Sequence, residues 1–481
     1  MSSWKSESFH DIINQGHFRI TDPGPLHAPI NTFAVRRDEH LRLILETHCP
    51  DDAKSPAIEY PSGMIRINTD AIELTNIAGT KARMVGVQPV NARTSRNYET
   101  GAHGLKETSR IDYIEATVRD DLGPRYTIEW LDNVGGHFVW PDSYKDETGT
   151  TEARTVSGEE GRLILIGAGD KNSFTRSCVR FVVAGIELYL CASWAPPSEI
   201  WKRPGCIIYV GTPDDDIRRK IRTALSYTLG MYLVYLGCTV FSDDWHTVYF
   251  KSISAYSIGR RVFDLVVLPP APLGPKYQHE ITSQAIGRMV NSIYSQYDDL
   301  QFGTLSWIYW HALCATTQTS PADFGSAIEA LQRNYVKTHP DSFKTKLVPD
   351  TEMWRTLSSE VRQAISKLNV PEGDRKILLQ KAGSLNDMPR SETMKLLLES
   401  IHIELGVDET RAWRERNRAA HGAQIEDDKH QHQAIRDTKL LRGIFDRMLL
   451  RITNGSDFYH DYASLEFPIR NLVDPVPTVT S

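Results

Sequence analysis

Pro269-Pro270-Ala271-Pro272-Leu273-Gly274-Pro275 can continue neither a helix nor a sheet, because each proline fixes φ and lacks a backbone N–H. The chain has a different character on each side of it. Before it, up to about residue 212, come short runs rich in Ile, Val, Tyr and Thr: 63–74 (GMIRINTDAIEL), 110–120 (RIDYIEATVRD), 124–132 (PRYTIEWLD), 161–169 (GRLILIGAG) and 179–194 (VRFVVAGIELYLCASW). Several alternate with period two, and Gly, Pro, Asn and Asp separate them, which predicts strands of a sandwich or barrel-like module. Residues 144–160 are acidic and rich in Gly and Thr, and read as a long exposed loop.

Residues 213–274 read as a mixed α/β segment that ends in the proline-rich linker. Thr212 or Asp214 is placed to cap a helix whose first turn is acidic and whose second is basic, as the helix dipole prefers. The uncharged run 223–242 has the length of a membrane span, and Arg218-Arg219-Lys220-Ile221-Arg222 precedes it. Gly230, Gly237, Ser226, Thr228 and three tyrosines dilute it, so it predicts a buried helix turning into a strand at Gly237. Two further strands are expected in 246–258 and 260–268.

Beyond Pro275, runs at 279–300, 305–315, 323–338, 351–368, 391–405, 408–420 and 432–452 carry apolar residues at three-four spacing. Ser391 or Asp408 would cap two of these helices, with Pro389 and Gly406 between them. The expected organisation is an α+β multidomain chain: a β-rich N-terminal domain (1–212), the mixed segment and linker (213–274), an all-α helical bundle (275–460) and a C-terminal tail (461–481) that is loose after Asp474.

Composition narrows the function. In 481 residues, 40% hydrophobic and 24% charged, a net charge of −6 offers no global positive field, so any nucleic-acid contact needs a local patch. Cys49, Cys178, Cys191, Cys206, Cys238 and Cys314 include no closely spaced pair, which argues against a zinc site or disulfide framework and for a reducing cytoplasm. The first twenty residues contain no apolar core of signal-peptide length. A cytoplasmic protein with no membrane contact, metal or cofactor is expected.

The local patch is Arg416-Asn417-Arg418-Ala419-Ala420-His421-Gly422, with Arg414 just before it. Asn417 and His421 are four apart on one helical face, with Arg414 on the same stripe and Arg418 beside it. Arg416, five before His421, sits about 140° round the helix. Arginine followed by histidine at such spacing also occurs at Arg42–His48, Arg96–His103 and Arg333–His339. Asn also follows Arg96 and Arg333, and Gly also follows His103, so what sets the fourth copy apart is that Asn417 and Gly422 flank it within a helical region rather than a β-rich one. Four arginines among Glu409 and Glu415 also describe an ordinary solvated helix face.

This run resembles the signature of HEPN-superfamily ribonucleases: an arginine, four to six residues, then a histidine. The β-rich region before a helical one is loosely similar to the ApeA-like branch in bacterial anti-phage defence. The resemblance implies a helical bundle that dimerises through the C-terminal domain, with two motifs facing each other. It also implies metal-independent cutting of single-stranded or tRNA-loop RNA during abortive infection, with a sensing N-terminal module that answers a phage-derived trigger. It places Arg416 and His421 in catalytic positions, Asn417 in a supporting one, and Arg414 and Arg418 on the RNA. Arg414 also meets the spacing rule. RNA supplies its own 2′-OH nucleophile, histidine moves protons near neutral pH, and arginine grips the phosphoryl oxygens. Glu329 reads first as a surface glutamate, with an approach to the site and a hold on an arginine as the lesser alternative. Two other readings are a HEPN-like protein that dimerises or binds RNA without cutting, and a metal-dependent nuclease, for which no carboxylate-plus-lysine core is found. His430 and His432 point to different helix faces, Asp243 to His246 read as a surface turn, and Trp307, Tyr309 and Trp310 read as bundle core.

Overall fold

The computed structural model describes residues 9–54, 71–96, 103–135, 138–147, 153–157, 163–167, 174–192, 202–255, 261–275, 279–420 and 428–478. Its strands are β1 (Arg19–Ile20), β2 (Thr32–Arg37), β3 (Leu43–Pro50), β4 (Ala71–Thr75), β5 (Lys81–Val85), β6 (Gln88–Arg96), β7 (His103–Ile111), β8 (Tyr113–Thr117), β9 (Tyr126–Asp132), β10 (Asp142–Glu147), β11 (Ala153–Ser157), β12 (Leu163–Gly167), β13 (Phe174–Val183), β14 (Ile186–Ala192), β15 (Gly205–Val210), β16 (Val234–Phe241), β17 (Thr247–Ile253), β18 (Phe458–His460) and β19 (Ile469–Asn471). The helices are α1 (Asp215–Leu229), α2 (Arg261–Asp264), α3 (Ser283–Ser295), α4 (Phe302–Cys314), α5 (Ser320–Thr338), α6 (Thr351–Ser366), α7 (Glu372–Gly383), α8 (Arg390–Ser400), α9 (Val407–Ala420) and α10 (Asp428–Thr453). The chain forms two compact units, 1–295 and 296–481. It is an α+β protein, with a large antiparallel sheet in its N-terminal region and helices in its C-terminal part.

In the first unit a thirteen-stranded sheet runs β1-β4-β5-β8-β17-β16-β9-β15-β14-β13-β10-β11-β12, and a four-stranded sheet runs β2-β3-β7-β6. Val35, Leu43 and Leu45 of the smaller sheet share one core with Ile72, Leu74, Met84, Ile114 and Phe250 of the larger. β9 lies inside the large sheet and is buried at every position after Tyr126, as a strand covered on both faces requires. α1 lies over it. Asp214, one of the two expected caps, accepts from the Ile217 N–H at 2.8 Å, and Arg222 reaches the fully buried Glu129 of β9 at 2.6 Å.

Several expectations need correction. The 144–160 stretch is not a long loop: β10, from Asp142, pairs antiparallel with β11, whose Thr155 and Val156 favour a strand. The break after α1 falls at Gly230 rather than Gly237. Gly230 ends the helix at φ +68°, where a Cβ would stand 2.5 Å from the Val267 carbonyl oxygen; Gly237 lies inside β16 at a bulge. β16 and β17 of the 213–274 segment pair with β9 and β8, so this segment completes the large sheet. The run 260–268 forms the short α2 rather than a strand. No helix among the described residues is long and apolar enough to cross a membrane.

In the second unit, positions 440–450 of α10 are buried without interruption, so α10 is central rather than amphipathic there. It packs against α5 and α9, and α5 also packs on α4 and α8. α7, a helix that none of the three-four runs covers, pairs with α6. Neither Ser391 nor Asp408 is a cap: both lie in the first turn of their helices, and Pro389 stands at the start of α8. The stretch after Asp474, expected to be loose, is anchored by the buried Val476, and the tail before it is packed as well. Leu472 and Val476 are buried, and Asp461, fully buried, accepts from Arg470 at 2.8 Å. Tyr309 and Trp310 belong to the core, but Trp307 is 43% exposed and packs on the His311 ring.

Candidate functional site

α9 is set in place from its first turn. The Gly406 N–H donates to Glu409 Oε2 at 2.8 Å, half of a capping box. Glu409 Oε1 accepts from Arg447 of α10 at 2.7 Å, and both side chains are fully buried. Burial of such a pair is tolerable only when the remaining donors are satisfied. Arg447 meets this condition, since its Nε donates to the Leu472 carbonyl and its Nη2 to the Glu404 carbonyl, each at 2.8 Å. One turn on, Arg436–Asp408 and Arg411–Asp437, both at 2.9 Å, link the same two helices around the buried Ala412.

The next turn carries the arginines. Arg416 stacks its guanidinium 3.5 Å from the centre of the Trp413 ring, donates to the Trp413 carbonyl, and pairs with Glu329 of α5. Its aliphatic stem crosses Gly325, where a Cβ would stand 2.7 Å from the Arg416 Cδ. An isolated glycine in a helical run often marks such a close approach, so Gly325 was the available sequence signal for this contact. The other Glu329 oxygen accepts from Arg390 of α8 at 3.1 Å. Glu329 thus bridges two arginines, one from α8 and one from α9. Glu329 holds an arginine, the lesser of its two expected readings, and Arg390 is a second partner that nothing in its local sequence indicates.

Two grooves flank this bridge and share Glu329, Gln332 and Arg390 as walls. The larger, about 720 Å³, is also lined by Trp413, by the cations Lys395, Arg414 and Arg416, and by the carboxylates Glu392, Glu399 and Glu404. Its cations and carboxylates are therefore evenly matched. The smaller, about 490 Å³, adds Arg333 and Lys337, with Val336 and Pro340 as apolar lining, and is positive in balance. Arg414 is exposed on the rim of the larger groove and makes no ion pair among the described residues, whereas Arg416 is largely covered, with a side chain 13% exposed.

α9 is helical through Ala420, so Arg414, Arg416, Asn417 and Arg418 follow one another on a single helix. The side chains of Asn417 and Arg418 lie outside the described residues, as do His421 and Gly422. His430 and His432 are exposed in the first turns of α10, and Asp243 to His246 form the expected turn, with Trp245 stacked 4.6 Å from Tyr126. Among the described residues no three His, Cys, Asp or Glu side chains are grouped to hold a metal ion. No family model, no curated protein and no solved structure matches this chain.

Proposed function

We propose that the helical unit is a HEPN-type, metal-independent endoribonuclease and that the chain acts in bacterial anti-phage defence by abortive infection. The β-rich unit, in this reading, is a sandwich-like sensing module. The observation that carries the reading is the placement of Arg414 and Arg416 on the last turns of α9, at the rim of an open groove and directly before His421. An arginine there can hold a scissile phosphate bidentately while His421 moves the 2′-OH proton, giving a 2′,3′-cyclic phosphate and a 5′-hydroxyl. Asn417 orients His421 or holds a phosphate oxygen, and Arg418 contacts the RNA. The grip is local, because the groove itself is balanced in charge.

One histidine per motif supplies one proton-transfer group, so a homodimer that brings two motifs together provides both acid and base. The exposed apolar side chains of Met353, Leu357, Leu368 and Ile377 on and beside α6 and α7 support association through the helical unit. The test is incubation of the protein with total RNA in EDTA beside the His421→Ala variant. Cleavage by the wild type alone supports the reading, and equal cleavage by a folded variant removes His421 from it.

A second reading also has an observation in its favour. Arg416 is already committed to Glu329 and to the Trp413 carbonyl, as a structural arginine would be. A HEPN-like protein that binds RNA or dimerises without cutting would show RNA retention with no cleavage in the same experiment.

A further inference from the structure

Three cysteines that are scattered in sequence stand in one row across three adjacent strands. Cys178 of β13 is directly opposite Cys191 of β14, and Cys191 is directly opposite Cys206 of β15. Residues opposite each other in an antiparallel ladder share a face, so all three thiols project to the same side. Each is essentially fully buried, and the Cys178 and Cys191 sulfurs are 3.1 Å apart. Cys191 is the shared neighbour, since it also hydrogen-bonds with Cys206.

We infer that Cys191 is the hub of an oxidisable dithiol, an oxidative modification site at which a hydroperoxide converts Cys178 and Cys191 to a cross-strand disulfide, with Cys206 as the alternative partner. Closing the bond brings two sulfurs from 3.1 Å to about 2.05 Å. The Cys191 thiolate attacks the peroxide, breaking the O–O bond, forming a sulfenic acid and releasing an alcohol or water once the leaving oxygen takes a proton. The Cys178 sulfur then attacks the Cys191 sulfur; the S–S bond forms, the S–O bond breaks, and water leaves with the Cys178 proton. Two electrons pass from the two thiols to the peroxide, and no further reductant or oxidant is needed.

The row favours Cys191 as the first nucleophile. Hydrogen bonding with the two neighbouring thiols holds Cys191 below the ordinary cysteine range, whereas burial pushes Cys178 well above it. Cys191 is the penultimate residue of β14 and Cys206 the second of β15, so a water-sized oxidant needs only the last rungs of these strands to open, not the whole sheet. The inference is independent of the ribonuclease reading.

The experiment treats the full-length protein with hydrogen peroxide or with a phosphine reductant, counts thiols after unfolding, and maps bridges by mass spectrometry without reduction. The expected result is a thiol count that falls by two, with Cys178–Cys191 as the main bridge. In Cys178→Ser the bridge moves to Cys191–Cys206, and in Cys191→Ser neither Cys178 nor Cys206 is bridged. Oxidation confined to the less buried Cys314, no oxidation at all, a Cys191 that ends as sulfinic acid beside a free Cys178, or a Cys178–Cys206 bridge in Cys191→Ser would each overturn the inference. If a variant does not fold, the wild-type map decides alone.

Discussion

Glu329 and Arg416 form an ion pair between α5 and α9, and the arginine stem reaches it by crossing Gly325, the one neighbouring position where α5 has no side chain in its path. This pair, with Arg390 on the other carboxylate oxygen, fixes where the guanidinium ends relative to the groove. Glu329→Ala therefore leaves two arginines without their shared acceptor. RNA cleavage should fall by about two orders of magnitude through lost positioning, with a stability loss of about 1–3 kcal/mol for the largely covered Arg416. Cleavage rate and urea unfolding measured on one preparation separate the two effects, and an unchanged rate removes Glu329 from the site.

Gly325→Ala isolates position from charge. The added methyl would stand 2.7 Å from the Arg416 Cδ and must displace that side chain. Alanine favours the helix by about 0.5–1 kcal/mol over glycine, which offsets part of the steric cost. The expected outcome is a folded protein, within about 1 kcal/mol of wild type, whose cleavage is reduced. A variant with full activity would mean that Arg416 can leave Gly325 without consequence.

Arg414 and Arg416 make different predictions under lysine substitution. Arg416→Lys loses the planar fork that serves Glu329 and the Trp413 carbonyl together, and Arg414→Lys loses bidentate phosphate contact from an exposed rim position. If Arg416 is the catalytic arginine, its variant loses far more activity than that of Arg414. The opposite ranking in kcat would assign the phosphate grip to Arg414 and leave Arg416 as a structural brace.

Arg447→Met tests the anchor of α9. It removes one member of a fully buried pair and strands Glu409 without its cation, which costs about 3–5 kcal/mol. Urea denaturation should show this loss. The double variant Arg447→Met with Glu409→Leu should recover part of it, since no charge is then left buried. Equal destabilisation of single and double variants would contradict this account.

Association can be read from light scattering of the full chain. A dimer is expected, and Leu357→Asp with Ile377→Asp, both exposed on α6 and α7, should shift it toward monomer. A monomer that cleaves RNA at the wild-type rate would end the two-motif scheme.

The sequence by itself determined the classes of element and their order. The described parts of the β-rich runs up to residue 212 are strands, the three-four runs after Pro275 are helices, and Asp214, one of two candidate caps, caps α1, because these signals depend on neighbours within a few residues. It also made Arg414 to Arg418 legible as a basic cluster on one helix. Tertiary structure decided what those residues face. The β10–β11 hairpin gains a longer-range ladder partner in β13, and the C-terminal segment is tied to α10 through the Arg447 bond to the Leu472 carbonyl. Arg416 is separated from Glu329 by 87 positions and Arg447 from Glu409 by 38, and no local pattern encodes either pairing. The cysteine row has the same origin: strand register places Cys178, Cys191 and Cys206 side by side, a relation that spacing along the chain does not contain.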